Sequence, residues 1–587
     1  MMNLEDILDQ LLADELRALC KRFGKKNEAL TTKAHCNKFL SHRIRTMPQD
    51  VISLLDPGER FLLAEIAHTK KVPSEPSFVA KYGLPFPKKS HRWEDRKAPP
   101  TLLIGFIYKS HRHDFHVICP EVEIYRPLLP PPPESSITPL SAPPALLEGE
   151  PVRLFESEAK AFLELGRVLR LVQSGKIKVT EKTSRPTDAS VRGINPVLMQ
   201  PDFDLSPPKN ARGYNYEDQA GAVRAHAWGV LIQQCGWAKA KKDILVLTPA
   251  GTSWVLEPSA RIYKEGVETF FDDEAFDELH RVNHIRGQTG KTRRWISSPG
   301  ERRDAIASAM SKMPIGEWIS FDETFRFLLA EQGVIKVGGS DGLYICDAHY
   351  GHIYDEVDLS KQFTRAVLME SFATLGLVDI AYGSPHGIWP EFAESYGSES
   401  HDFLGRYDGL AAIRLTPLGA FCFGHADSYT PPTTQMEPSL RVLANHEITA
   451  LTLPDPATIS SLEMFAIRQS DAVWRLDQET ILRTVEAGIP WATLHKMLRT
   501  STKGDIPANI EKWFDDLEAK SRRCLLASEA VLLEWEDESD AVTLANSSGT
   551  APLCFHAGGR RLVIPRKNLA TFTREARKRG HLLPLVK

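Results

Sequence analysis

Two nearly identical pentapeptides, LTPAG at residues 247–251 and LTPLG at residues 415–419, lie far apart in this chain. Each follows an apolar, strand-like run, at residues 244–246 and 410–414. Proline cannot donate a hydrogen bond to a β-ladder, and glycine is permissive in turns. We therefore expect each pentapeptide to end a strand, with its glycine opening a turn into the next segment.

The elements before the two pentapeptides also repeat. In the first copy, helices are expected at 156–172 and 218–234, followed by a hairpin of 236–242 and 244–248 that turns at Lys242–Asp243. In the second copy, a helix at 361–375 precedes strands at 376–382 and 410–416, with an insert at 383–409. Helices followed by a two-stranded wing are typical of winged-helix modules, which bind duplex DNA or proteins. A motif that serves only packing is the alternative.

Fold class and domain boundaries follow from these patterns. We predict an α+β, multi-domain chain of helical bundles with tandem winged-helix-like modules and a C-terminal α+β accessory domain. Helices followed by a hairpin at 101–120 extend this pattern to the N-terminus, and a proline-rich linker begins at residue 127 with PLLPPPPESSITPLSAPP. The predicted parts are a helical or winged-helix-like domain at 1–126, the linker at 127–147, a winged-helix-like domain at 148–285, a second with the long wing insert at 286–430, and the accessory domain at 431–587.

The last quarter of the chain carries a resemblance to a known family. The matching residues are Trp474–Leu476, Ile481, Gly488, Ile506–Pro507 and Trp513–Leu517. From Ser439 onward, the sequence resembles the helicase conserved C-terminal, XPB-type, accessory domain of bacterial proteins. The resemblance implies a role on DNA, in repair or in defence against foreign DNA, beside a separate ATPase or nuclease.

The helicase motor itself is missing from the sequence. A motor needs a phosphate-cradling GxxxxGK[ST] loop after a strand. The nearest match is IRGQTGKT at residues 285–292, which has Ile285 where the first glycine belongs, and no DExH box follows. We interpret this segment as a basic loop and expect no cofactor.

Several classes of protein are disfavoured by composition. No run of about 18 apolar residues exists, so no membrane partner is expected, and the acidic N-terminus does not resemble a secretory signal. Eight scattered cysteines form no CxxC pair, which is typical of reduced thiols and predicts a cytoplasmic protein.

Enzyme chemistry is not indicated. The sequence contains no HExxH motif. Cys346, His349 and His352 are metal-type ligands at close spacing, but a turn and hairpin explain them equally well. We predict a non-enzymatic protein, and an enzyme with a cryptic metal site stays open as an alternative.

Basic clusters are the most informative polar feature, because the net charge of the chain is only -4. One cluster precedes and enters a predicted helix at residue 188, which we expect to be a recognition helix with its hydroxyls toward phosphate. Its members are Lys176, Lys178, Lys182, Arg185 and Arg192. A second, C-terminal cluster comprises Arg560, Arg561, Arg566, Lys567, Arg574, Arg577 and Lys578, the last three on one helix face.

These patterns predict a non-enzymatic accessory protein that grips double-stranded DNA mainly through its phosphate backbone and positions it for a partner ATPase or nuclease. The alternative from another class is a scaffold whose winged helices bind proteins, with no DNA affinity of its own.

Overall fold

The structure is a computed structural model that describes residues 3–24, 32–87, 101, 103, 106–109, 116–207, 221–286, 296–338, 343–345, 352–353, 356–386, 403–431, 440–452, 454, 456–486, 488–521 and 529–583. The fold is mixed α+β, with small sheets whose strands pair antiparallel. The chain forms two compact units, one of Met1–Met436 with Pro454–Leu462 and one of Glu437–Leu453 with Glu463–Lys587.

The N-terminal part of the first unit has a hydrophobic core of its own. Its helices are α1 (Leu4–Gln10), α2 (Ala13–Arg22), α3 (Lys33–Thr46), α4 (Pro48–Leu54), α5 (Pro57–Thr69) and α6 (Glu75–Tyr82). Strands β1 (Ile107–Lys109) and β2 (His116–Ile118) form the predicted hairpin. The core is built by leucines and isoleucines at helical spacing, such as Leu4, Ile7 and Leu8.

The rest of the first unit shares one continuous core that includes Ala80 of α6 and extends from Phe155 to Cys422. Its first elements are β3 (Leu146–Leu147), β4 (Glu150–Pro151), β5 (Arg153–Phe155), α7 (Glu158–Gln173), α8 (Asp188–Ile194), α9 (Arg224–Gln234), β6 (Ala238–Lys241), β7 (Ile244–Leu247), α10 (Pro249–Leu256), α11 (Ala260–Asp272) and β8 (Ile285–Arg286). The following elements are α12 (Pro299–Met310), β9 (Trp318–Ser320), α13 (Phe321–Gln332), β10 (Tyr344–Ile345), β11 (His352–Ile353), α14 (Glu356–Ala366), β12 (Val378–Tyr382), β13 (Leu410–Leu415), α15 (Pro417–Cys422) and α16 (Pro456–Leu462).

Both predicted hairpins before the pentapeptides are confirmed. Strand β6 pairs with β7, and Lys242 takes the positive φ of 59° at their turn. Strand β12 pairs with β13 at the centre of a sheet of order β5-β12-β13-β9. Residues from both predicted winged-helix-like segments, 148–285 and 286–430, thus contribute to one core.

The pentapeptides begin helices where turns were expected. The strands end at Leu247 and Leu415 as predicted, but α10 and α15 start at once, each with proline in its first turn. The hydroxyl of Thr248 accepts from the backbone N–H of Gly251 at 3.2 Å, and that of Thr416 accepts from Gly419 at 2.9 Å. Each threonine is therefore a helix N-cap, a position that favours an oxygen-bearing side chain.

The glycine of each pentapeptide is required by a close approach of backbone. A Cβ added at Gly251 would lie 2.0 Å from the carbonyl oxygen of Trp237, and one at Gly419 would lie 2.0 Å from that of Leu377. The expectation that these glycines open turns was wrong, because they lie inside helices whose first turns touch the start of the preceding hairpin.

The second unit contains two sheets with helices. Its elements are β14 (Leu440–Val442), β15 (Glu447–Ala450), β16 (Ala466–Arg468), β17 (Val473–Leu476), α17 (Gln478–Glu486), α18 (Trp491–Ser501), α19 (Ala508–Ser521), β18 (Ala530–Glu534), α20 (Glu538–Asn546), β19 (Phe555–His556), β20 (Arg561–Pro565) and α21 (Leu569–Lys578). Gly488 has a φ of +100° just after α17, and Pro507 directly precedes α19, as their sequence contexts predict.

No helix among the described residues is both long enough and apolar enough to cross a bilayer.

Candidate nucleic-acid interface

The first basic cluster adjoins the hairpin of β6 and β7. The backbone N–H of Val179 donates to the carbonyl oxygen of Asp243 at 2.8 Å, and that of Leu245 donates to Ile177 at 3.0 Å. Lys178 lies opposite Ile244 in an antiparallel bridge. Residues 177–179 therefore extend the two-stranded sheet by a short third strand.

This arrangement places lysines from separate segments on one face. Ile244 is paired on one side with Lys178 and on the other with Lys241. Because directly paired residues point to the same face of a sheet, Lys178 and Lys241 share that face. Lys239 joins them, since it is two residues before Lys241 on the same strand.

We call this set, together with Lys242 at the turn, the lysine face. Its members are Lys178, Lys239, Lys241 and Lys242, and all four are exposed. Lys239, Lys241 and Lys242 were not among the predicted site residues. The alternation of lysine in GWAKAKK, residues 236–242, is the signal that would have found two of them, because a strand with period two directs alternate residues to one side.

The lysine face is not neutralised by ion pairs among the described residues. Within the described ranges, no ion pair joins any of its four lysines, Lys182 or Arg192 to a carboxylate. The exposed acids nearest in sequence are Glu181, Asp188 and Asp243. The exposed cations of this segment therefore outnumber the acids beside them, and Lys176, Lys182 and Arg192 add to them.

The helix expected to enter DNA at residue 188 has its hydroxyls turned inward. Helix α8 begins there as predicted, with Thr187 as its N-cap. The Ser190 hydroxyl, however, donates to the carbonyl oxygen of Lys178 at 2.8 Å and accepts from the N–H of the same residue at 2.7 Å. These groups fix the short third strand and do not face solvent, so that part of the recognition-helix expectation was wrong.

Arg185 is half-buried and lines a pocket elsewhere. The pocket encloses about 370 Å³, including solvent at its mouth, and is lined by α9, residues 276–281 and a π-helical turn at Val367–Phe372. Glu370 from this turn lines the pocket together with His226 and Arg281, and π-helical turns recur at functional sites.

Three groups surround the Glu370 carboxylate. Arg281 Nε lies 3.2 Å from it, His226 Nδ1 lies 3.6 Å from it, and the Tyr407 hydroxyl donates to it. Burial would raise the pKa of Glu370, but the charge of Arg281 and the hydrogen bonds hold that pKa at about 2. Burial also lowers the pKa of His226. Sequence reasoning missed this cluster, because its members come from four distant segments.

The C-terminal cluster has the predicted helix with a cationic face. Helix α21 buries Phe572 and Ala576, and Arg574, Arg577 and Lys578 are exposed on it. Glu575 is the shared carboxylate partner of Arg574, Lys578 and Arg579, at 3.7, 2.8 and 3.6 Å. Three cations around one acid leave a net positive helix.

The other members of that cluster lie at the neighbouring sheet. Arg560 and Arg561 both approach Glu534, at 3.7 and 3.5 Å, and Arg566 approaches Glu529 at 3.5 Å. In the described part of the chain, Lys567 has no ion-pair partner. All these pairs are exposed, and such pairs contribute about 0 to 1 kcal/mol each.

Metal-type residues give no site within the described residues, where no group of three or more His, Cys, Asp or Glu side chains could hold an ion. Cys346, His349 and the side chain of His352 lie outside the described part of the structure, as does most of the insert at 383–409.

No family model matches the chain, and no curated protein matches it.

Proposed function

We propose that this protein binds duplex DNA through the phosphate backbone, without catalysis, and that the lysine face is its principal contact. The observation that carries the proposal is the joining of Lys178, Lys239 and Lys241 on one exposed face with no carboxylate partner among the described residues. When such side chains neutralise the phosphates of DNA, the counterions condensed on the DNA are released, and this release favours binding.

The order of elements around this face supports the proposal. Helix α7, the strand at 177–179, α8, α9 and the β6–β7 hairpin follow each other as they do in winged-helix modules, and the lysine face lies on the hairpin that would be the wing. The resemblance of the second unit to an XPB-type accessory domain supports a role beside a separate ATPase or nuclease, in DNA repair or defence. Helix α21 offers a second backbone contact.

The test replaces three lysines of the face and compares duplex affinity. The variant Lys239→Glu/Lys241→Glu/Lys242→Glu is expected to bind a short fluorescent duplex at least roughly tenfold more weakly at low salt, measured by anisotropy. The slope of log affinity against log salt should become shallower by about 0.9 for each phosphate contact removed.

A charge-matched variant separates local contact from net charge. Lys503, Lys512 and Lys520 are exposed in the second unit, outside the predicted clusters. Their replacement by glutamate changes the net charge equally and should leave affinity close to that of the parent protein. Equal loss in both variants, or retained affinity with an unchanged salt slope in the first, would contradict the proposal.

A further inference from the structure

The three-stranded sheet of the second unit has one covered and one open face. Its strand order is β18-β20-β19. The covered face buries Leu533, Leu562 and Ile564 against side chains of α20 and α21. Because side chains alternate along strands, the residues between these point the other way, to the open face.

An apolar row crosses the open face. Val563 on the central strand is paired with Leu532 on one neighbour and with Phe555 on the other. Phe555 is 67% exposed and Leu532 is 59% exposed, values that are unusual for large apolar side chains at adjacent positions. The row presents a flat aromatic ring and two aliphatic side chains to solvent.

Cations lie beside this row, along the central strand. Arg561 is on the open face two residues before Val563, and it is 55% exposed. Arg560 adjoins it, and both approach the single carboxylate of Glu534. Arg561 is a diagonal neighbour of Phe555 on this face, since Phe555 pairs with Val563, two residues after Arg561.

A tight turn joins β19 to β20, between Phe555 and the two arginines. Gly558 and Gly559 both take positive φ, at 90° and 55°, in the turn between β19 and β20. The backbone N–H of Ala557 donates to the carbonyl oxygen of Arg561 at 2.9 Å, and His556 Nε2 lies 2.9 Å from the carbonyl oxygen of Gly559. These contacts close the turn tightly.

We propose that this open face binds single-stranded DNA, with an unpaired base stacked on Phe555 and the adjoining phosphate held by Arg560 and Arg561. An exposed aromatic ring beside cations is the combination that binds single strands without sequence preference, since every base has a π-face. The base faces of an intact duplex are occupied by their neighbours, so this site selects unpaired nucleotides. The inference takes DNA as its polymer from the proposed function and adds a second site in the other unit.

The experiment compares single strands and duplex on the intact chain. Phe555→Leu keeps an apolar side chain but removes the ring, and it is expected to weaken binding of fluorescent oligo(dT) roughly 5- to 100-fold, with duplex affinity unchanged. Phe555→Tyr keeps the ring and should retain the parent affinity. Leu582→Ala removes another exposed apolar side chain, 85% exposed and outside the sheet, and should have no effect.

The outcomes separate this site from the lysine face. If Phe555→Leu binds oligo(dT) as tightly as the parent protein, the single-strand site is overturned. It is also overturned if the parent protein binds duplex but not oligo(dT). Both outcomes leave the proposed function standing. If the lysine variant loses duplex binding but still binds oligo(dT) in a Phe555-dependent way, the two sites are distinct. Tighter Phe555-dependent binding of oligo(rU) than oligo(dT) overturns the assignment to DNA. If Phe555→Leu abolishes self-association and leaves oligonucleotide binding unchanged, the face is a protein contact, and the single-strand proposal is overturned.

Discussion

Adding one methyl group at the repeated pentapeptide should measurably destabilise the first unit. In Gly419→Ala, the new Cβ would lie 2.0 Å from the carbonyl oxygen of Leu377 and 3.0 Å from a side-chain carbon of Leu415. Contacts of a Cβ below 3.0 Å are essentially never seen, so either the first turn of α15 or the start of β12 must move. Both are buried, and close-packed interiors yield little.

The expected cost follows from what that movement breaks. Overpacking a core typically costs about 1 to 3 kcal/mol. Displacing α15 also loosens the N-cap of Thr416, whose hydroxyl accepts from Gly419 and donates to Gly376 at 2.7 Å. Loss of a cap costs about 0.5 to 2 kcal/mol. We therefore expect Gly419→Ala to lower the free energy of unfolding by roughly 2 to 4 kcal/mol.

The assay is urea unfolding followed by tryptophan fluorescence, together with hydrogen exchange of the peptide amides around residues 415–423. Gly251→Ala should behave in the same way, because its Cβ meets the carbonyl oxygen of Trp237 at the same 2.0 Å. Gly193 is the control, since it is helical and exposed with no atom within 4 Å of an added Cβ. Alanine there should stabilise by about 0.5 to 1 kcal/mol.

A refuting result is easily recognised. If Gly419→Ala unfolds at the same urea concentration as the parent protein, with unchanged amide protection, the close approach does not select the glycine. Equal destabilisation in Gly193→Ala would show that the substitution acts through general helix effects and not through the contact.

Two further predictions concern buried charges. Glu164→Ala should lower the free energy of unfolding by about 3 to 5 kcal/mol, because it leaves the guanidinium of Arg224, fully buried beside it, without its carboxylate; an unchanged thermal midpoint would contradict this. The folded protein has a His226 pKa lowered from 6.5, so below pH 6.5 the unfolded state takes up a proton that the folded state does not, and stability falls. Glu370 has a folded pKa of about 2 against 4.5, so its protonation in the unfolded state should cause a second loss of stability below pH 4.5. Thermal midpoints measured against pH should therefore fall in both windows. His226→Gln should remove the upper loss and reduce the lower one, because His226 also helps to lower the pKa of Glu370.

The sequence was most informative where structure is local. The β6–β7 hairpin, the glycine cap at Gly488, the helix after Pro507 and the cationic face of α21 each depend on residues within one or two turns of each other. Propensity, alternation and capping act over that distance, so the pattern is readable without the fold.

Features that depend on distant segments were not readable. Lys178 joins Lys241 only because residues 177–179 pair with β7, and no spacing in the chain states that pairing. The carboxylate of Glu370 meets His226, Arg281 and Tyr407 from separate elements, with no motif to connect them. The role of Gly251 and Gly419 was misread for the same reason, since the carbonyl oxygen that excludes a side chain lies at the start of the preceding hairpin.

The burial of α9 limits what the proposed DNA contact can recognise. In this order of elements α9 follows α8 and precedes the wing, yet Arg224, Trp228 and most of its other side chains lie in the core. Side chains that lie in the core cannot reach the edges of bases, where sequence is read. The lysine face carries point charges that match phosphates and lack the paired donors and acceptors of base recognition. If the proposed function holds, affinity should therefore depend strongly on salt and hardly on sequence, and a duplex of any composition should compete equally with any other.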